Sequence, residues 1–247
     1  MPRLRVHNFL VTLDGYATGE DQSTEAAFGT AQSEFMSWFE KANIFRPAGQ
    51  PGSPAPAPSA SESIAAAWDR GVGADIMGRN MYRPATGPWP QDGWRGWWGE
   101  EPPFGTPCFV MTHWEREPLS VGSTTFHFVS GTPAEVLQRA REAAGGLDVR
   151  LGGGPSTVSE FLAADLVDYL HIIQIPVVLG RGVRLWDGLE SLHKRYAVES
   201  ATMPNGTTHL FFTKTASEAG EPGEPALIHR IPEPPGSSRS GATPPSL

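Results

Sequence analysis

The chain has 247 residues, with 27 Asp and Glu against 19 Lys and Arg and a formal net charge of −8. That balance argues against sequence-independent nucleic-acid binding, which needs cationic surface to displace counterions, and no segment reaches the roughly 18 apolar residues of a membrane span. Cys108 is the single cysteine, so an internal disulfide is excluded, and the 7 histidines show no metal-ligand spacing, so no metal is expected.

In chain order, residues 3–13 are rich in β-formers and stop at Asp14-Gly15, a turn signal after a strand. Phe35, Trp38 and Phe39 stand at i, i+3 and i+4 and predict an amphipathic helix over 32–43. Residues 47–61 and 216–247 are rich in Pro, Gly, Ser and Ala, too poor in apolar area to offset their ordering entropy; they read as a surface insertion and a disordered tail. A short helix is expected at 65–70, then a buried strand at 74–78 running into Arg79-Asn80-Met81-Tyr82. Trp89, Trp94, Trp97 and Trp98 crowd the following loop, and rings in such number need something to pack against: their own domain, a substrate or a second subunit. Strands are predicted at 107–112 and 125–130, and a helix at 133–144 with Val136, Leu137 and Ala140 on one face.

Residues 148–151 form a further strand that enters Gly152-Gly153-Gly154-Pro155-Ser156-Thr157 before the helical pattern Val158, Phe161, Leu162. A strand running through glycines into a helix N-terminus is a phosphate cradle, since bare backbone and unpaired N–H groups approach the anion. A simple glycine turn is the other reading. Pro155 suits a first helical position, and Thr157 with Glu160 has the spacing of a capping box. The segment is neither G-x-G-x-x-G nor a Walker loop. The apolar run 167–179 reads as a central strand, and 196–201 and 207–214 flank Met203-Pro204-Asn205-Gly206, a strong hairpin signal. The expected fold is α/β: three layers, a mixed and mostly parallel sheet ending in an antiparallel hairpin, ordered over 1–215.

Together these segments resemble the dihydrofolate-reductase-like superfamily, and within it the reductase domain of the bacterial riboflavin-biosynthesis deaminase/reductase. The carriers are Thr12-Leu13-Asp14-Gly15, Met77-Gly78-Arg79-Asn80-Met81-Tyr82, Val110-Met111-Thr112, the loop Gly152 to Thr157, and Leu166-Val167-Asp168-Tyr169-Leu170-His171 leading to Pro176-Val177-Val178-Leu179-Gly180. The resemblance implies an NADPH-dependent reductase that transfers a hydride to a C=N, C=C or C=O bond of a small, cyclic metabolite. It places Arg79 at the 2′-phosphate, after the tight turn that Gly78 allows, and counts Asn80 among the cofactor contacts. Thr112 and His113 fall at the adenosine phosphate, and Gly153, Gly154, Pro155, Ser156 and Thr157 at the pyrophosphate. Ala17 and Gly19 fall near the nicotinamide, and Asp14 is the acid nearest the chemistry. Structural alternatives remain for Arg79 (a surface ion pair), Thr112 (a strand-end hydroxyl) and Asp14 (a turn residue).

Two departures matter, the first because it removes a hydroxyl contact to the cofactor phosphate and the second because it bears on the substrate. Met81 stands where many relatives have Thr, and the pterin-holding carboxylate of true dihydrofolate reductases aligns with Phe35, Glu34 being about 100° around the helix. Folate is therefore not the expected substrate; Phe35, Trp97 and Trp98 are the candidate substrate contacts. No zinc-deaminase signature accompanies the reductase segment. The resemblance further implies a homodimer, and the absence of a signal-like or membrane-spanning stretch a cytoplasmic protein. The competing class is a non-catalytic NADP(H)-binding sensor or partner protein.

Overall fold

The computed structural model describes residues 2–42 and 68–215, which fall within one unit, Met1–Thr215. The expectations for 47–61, for most of 65–70 and for 216–247 lie outside the described residues; the described end of the second, 68–70, is a turn. The chain runs β1 (Leu4–Thr12), β2 (Tyr16–Thr18), α1 (Gln32–Ala42), β3 (Val72–Gly78), α2 (Arg79–Tyr82), β4 (Pro107–Met111), β5 (Arg116–Val121), β6 (Thr124–Val129) and α3 (Pro133–Ala143). It continues with β7 (Asp148–Gly153), α4 (Pro155–Ala163), β8 (Tyr169–Ile175), β9 (Val183–Arg184), β10 (Tyr196–Thr202) and β11 (Thr208–Lys214). Nine of these strands form one sheet in the order β10-β11-β8-β1-β7-β3-β4-β6-β5, and β2 pairs with β9. From β8 to β6 all neighbours are parallel, while β11, β10 and β5 are antiparallel additions at the two edges.

Alternation along the strands sends side chains to two faces. Leu4, Val6, Ile76, Val149, Leu151, Leu170 and Ile172 pack on one face with Val136, Leu137 and Ala140 of α3 and Val158, Phe161 and Leu162 of α4. Val6 and Phe9 share that cluster despite their odd spacing, because the register against β8 slips between them and Asn8 takes φ +55°; a bulge restores the inward direction. On the opposite face, Leu10, Ile173 and Ile175 meet Phe35 and Trp38 of α1, and Met77, Cys108, Val110, Phe126 and Phe128 meet Tyr82 and Trp89.

The tryptophan-rich loop therefore acts as part of the third layer. Trp98 stands 4.7 Å from Phe104 and 6.0 Å from Phe126 between ring centroids, and the Trp94 and Trp97 indoles donate to the carbonyls of Tyr82 (3.1 Å) and Met81 (2.9 Å). Arg83 holds Asp92 in a fork of 2.6 and 2.5 Å that closes the loop.

Two expectations need correction. Helix α4 begins one turn earlier than a Thr157 cap requires: Pro155 takes the first helical position, as expected, so Gly154 is the N-cap and carries no side-chain cap. The capping box lies instead on α3, where the Thr132 hydroxyl accepts from the Glu135 amide (3.3 Å) and the Glu135 carboxylate accepts from the Thr132 amide (2.7 Å). Strand β5 was not foreseen, because Arg116-Glu117-Pro118 breaks the apolar alternation.

Candidate active site

Strands β7, β3, β4 and β6 are parallel neighbours, so their C-terminal ends open on one edge, where ligands bind in open α/β sheets. Gly78 ends β3 and Gly153 ends β7 next to it. A methyl group on Gly78 would stand 2.1 Å from Thr157 Oγ1, so only glycine lets the first turn of α4 come down onto the end of β3. Gly153 has φ +140°, and its peptide bond to Gly154 is cis. A Cβ on Gly154 would meet nothing within 4 Å. The start of α4 thus has open space beside its cap and no capping side chain, the arrangement in which first-turn N–H groups are available to an anion.

A cleft of about 390 Å³ lies at this edge. Arg79, Thr112, His113 and Thr157 line it, together with Ser130, Gly131 and Glu160. A second hollow of about 400 Å³, lined by Gly19, Asn80, Val183 and the acidic segment 20–22, shares Ala85 and Thr86 with the first. Six of the anticipated residues thus line two adjoining hollows. Gly78, Gly154 and Ser156 belong to the backbone that carries Thr157 to the cleft. Ala17, Gly153 and Pro155 are buried and line neither hollow.

Arg79 is not a surface ion pair: among the described residues no carboxylate lies within 4.0 Å of it. Its Nη1 donates to the Gly87 carbonyl at 2.6 Å, its Cζ lies 4.3 Å from the Trp89 ring centroid, and Nε and Nη2 find no acceptor. Burial, then the neighbouring guanidiniums of Arg83 and Arg116, push its pKa down; an anion in the cleft would relieve both. The Thr112 hydroxyl accepts from the Trp114 amide at 3.1 Å and so shapes the turn after β4. The unpaired cation, the uncapped helix and the close approach at Gly78 fit a polyphosphate ligand.

The substrate-side expectations fare differently. Phe35 is fully buried and stacked on Phe28 at 4.9 Å, and Trp97 and Trp98 are engaged with the loop and sheet described above; none lines either hollow. Asp14 is held by both loops it joins. Its carboxylate accepts from Thr12 Oγ1 (2.6 Å), the Leu179 amide (3.1 Å) and the Gly180 amide (2.7 Å). Burial works to raise its pKa, but these hydrogen bonds outweigh it and hold the group at about 2. Ser130 and Gly131 were missed, although Ser-Gly after a strand is itself a turn signal at this edge.

Among solved structures, the fold resembles that of a protein assigned to riboflavin biosynthesis from Shewanella sp. PV-4, with TM-score 0.54 and 18% identity over 87% of this chain and 100% of that one. It is also similar to a pyrimidine reductase-like protein from Corynebacterium diphtheriae (TM-score 0.46, 13% identity, 87% and 93% covered). Dihydrofolate reductase from Enterococcus faecalis, complexed with NADP(H), is similar at TM-score 0.42 and 11% identity, over 86% and 96% of the two chains. A search of curated protein sequences finds no match. The RibD C-terminal domain family matches residues 5–209; the chain belongs to this family, with an α/β fold built on a mixed, mostly parallel sheet.

Proposed function

We propose that the chain is an NADPH-dependent reductase of a C=N, C=C or C=O bond in a small, cyclic metabolite. The observation that carries this reading is the meeting, in one cleft, of Arg79 without a carboxylate partner and Thr157 at the uncapped start of α4. Bound NADPH supplies the hydride; the protein supplies placement. The first turn of α4 and Thr157 hold the pyrophosphate, Arg79 the 2′-phosphate, and Thr112 and His113 the adenosine side. Gly19 and Asn80 shape the adjoining hollow for the reacting end. Asp14 is assigned no proton transfer, since both of its carboxylate oxygens are occupied by Thr12 Oγ1 and the Leu179 and Gly180 amides; it orients the loop at Leu179 and Gly180.

The same engagement of Asp14 favours, as the second reading, a non-catalytic NADP(H)-binding protein. Fluorescence titration with NADPH and NADH tests the shared claim. NADPH is expected to bind more tightly, and Arg79→Ala to reduce that preference by about 1.5–3 kcal/mol, the range for a hydrogen bond to a charged group. Equal binding of the two by the unmutated protein would overturn the cofactor assignment. Loss of reduced-nicotinamide absorbance on adding fractions of a small-metabolite extract then marks the enzyme, and binding without oxidation marks the sensor. A homodimer is part of the proposal: β10 is an edge strand with Val198 47% exposed, and light scattering on the purified protein reads the mass.

A further inference from the structure

Trp89 is 8% exposed and fixed on several sides. Its indole N–H donates to the Trp114 carbonyl, and its ring meets Tyr82 at 5.9 Å and Phe128 at 5.1 Å, edge to face. Two guanidiniums rest on this immobilised ring. The Cζ of Arg79 lies 4.3 Å from its centroid and that of Arg116 4.8 Å. Arg116 also lies 3.9 Å from the Phe128 centroid and donates from Nη2 to the Tyr82 hydroxyl at 3.2 Å. Its Nε, like Nε and Nη2 of Arg79, has no acceptor. Neither arginine has a carboxylate within 4.0 Å among the described residues, whereas Arg83, the third cation of the group, is neutralised by Asp92 at 2.5 Å.

Two unneutralised like charges on one ring repel, and the ring quadrupole attracts each without cancelling either. A phosphomonoester, with nearly two negative charges at neutral pH, balances the pair as no single carboxylate would. We propose that Trp89 is a positioning residue: lining neither hollow itself, it holds the Arg79 guanidinium, which does line the cleft, toward the 2′-phosphate, while Arg116 on the same ring adds its positive field from outside the cleft, so that cofactor preference depends on Trp89 and Arg116 as well as on Arg79. This rests on the reading that NADPH occupies the cleft.

The test compares NADPH and NADH dissociation constants in Arg79→Gln, Arg116→Gln, Trp89→Leu and Trp89→Phe, with melting temperatures measured alongside. Arg116→Gln, on a half-exposed edge strand, keeps the test open if Trp89→Leu does not fold. Trp89→Leu is expected to weaken NADPH roughly tenfold, the lower end of what the charged hydrogen bond of a well-placed Arg79 contributes, Arg116→Gln to weaken it by a smaller factor through loss of its field alone, and both to leave NADH unchanged; Trp89→Phe, which keeps an aromatic face, restores part of the loss. An unchanged NADPH-to-NADH ratio in folded Arg116→Gln and Trp89→Leu, with a reduced ratio in Arg79→Gln, overturns the role of Trp89 and Arg116 alone. A ratio unchanged in Arg79→Gln as well overturns the cofactor reading and this inference with it.

Discussion

The carboxylate of Asp14 ties the turn after β1 to residues 165 and 166 positions further on, through the Leu179 and Gly180 amides. An amide in its place carries no charge and turns an NH2 donor toward the Thr12 hydroxyl, so Asp14→Asn replaces three charge-assisted hydrogen bonds by weaker neutral ones. The expected result is a loss of about 1–3 kcal/mol in chemical denaturation, with NADPH affinity nearly unchanged because the residue lines neither hollow. A variant with wild-type stability would show that the carboxylate does not clamp the loop. The Asp-Gly turn itself was legible, since Gly15 takes φ +86° and its amide donates to the Thr12 carbonyl at 3.0 Å. Its distant partners were not: a hydrogen bond across 165 residues leaves no local pattern. Arg79 was readable for the converse reason, because its place just after a strand-ending glycine is a local feature. What keeps it unpaired is the identity of its spatial neighbours, which no spacing reveals.

At the scale of elements, the start of α4 separates two kinds of glycine. Gly78 is required by contact, its missing Cβ being space that Thr157 already occupies. Gly154 is free of contact and has φ −77°, a value open to any residue. Gly154→Ala is therefore expected to fold with little change in melting temperature and to weaken NADPH and NADH alike, because its methyl fills the approach to the shared pyrophosphate site. Unchanged affinity for both cofactors would make the glycine segment only a turn. The strand–glycine–helix order and Pro155 were visible in the sequence, but the cap was misplaced by one turn because Thr157 and Glu160 match the spacing of a box without sitting at a helix boundary. Thr132 and Glu135, with the same spacing and Pro133 between them, do sit at one. The tryptophan loop follows the same lesson: its rings carry no periodicity, so nothing local says that they complete a layer over β4 and β6.

On the whole molecule, the parallel centre of the sheet and its terminal hairpin follow from alternating strand and helix patterns and from Asn205-Gly206, but one consequence of the layering does not. The sheet face under α1 also carries His7, His171 and His209. His171 Nε2 lies 2.9 Å from His209 Nδ1, and the two rings stack at 5.1 Å between centroids. Burial, then the cations Arg5, Arg150 and Arg3, holds His7 down at about 3; burial, then His209 and His7, holds His171 well below its ordinary value; burial holds His209 at about 4. An unfolded histidine titrates near 6.5, so below that pH the unfolded chain takes up protons that the folded chain refuses. Each such proton removes about 1.4 kcal/mol of stability per pH unit. Stability is thus complete above pH 7 and falls from about 6.5 downward. The carboxylates held low, Asp14 and Glu135 among them, begin their own loss only at about pH 5 as their unfolded counterparts protonate, so the window from 6.5 to 5 reports the histidines. Urea denaturation across that window is expected to show a steady fall in midpoint, with a shallower slope in His7→Gln, which removes one of the titrating groups. A midpoint that stays level from pH 7 to 5 would mean that these imidazoles are protonated as readily in the folded protein as in the unfolded chain, and that the face under α1 is open to water.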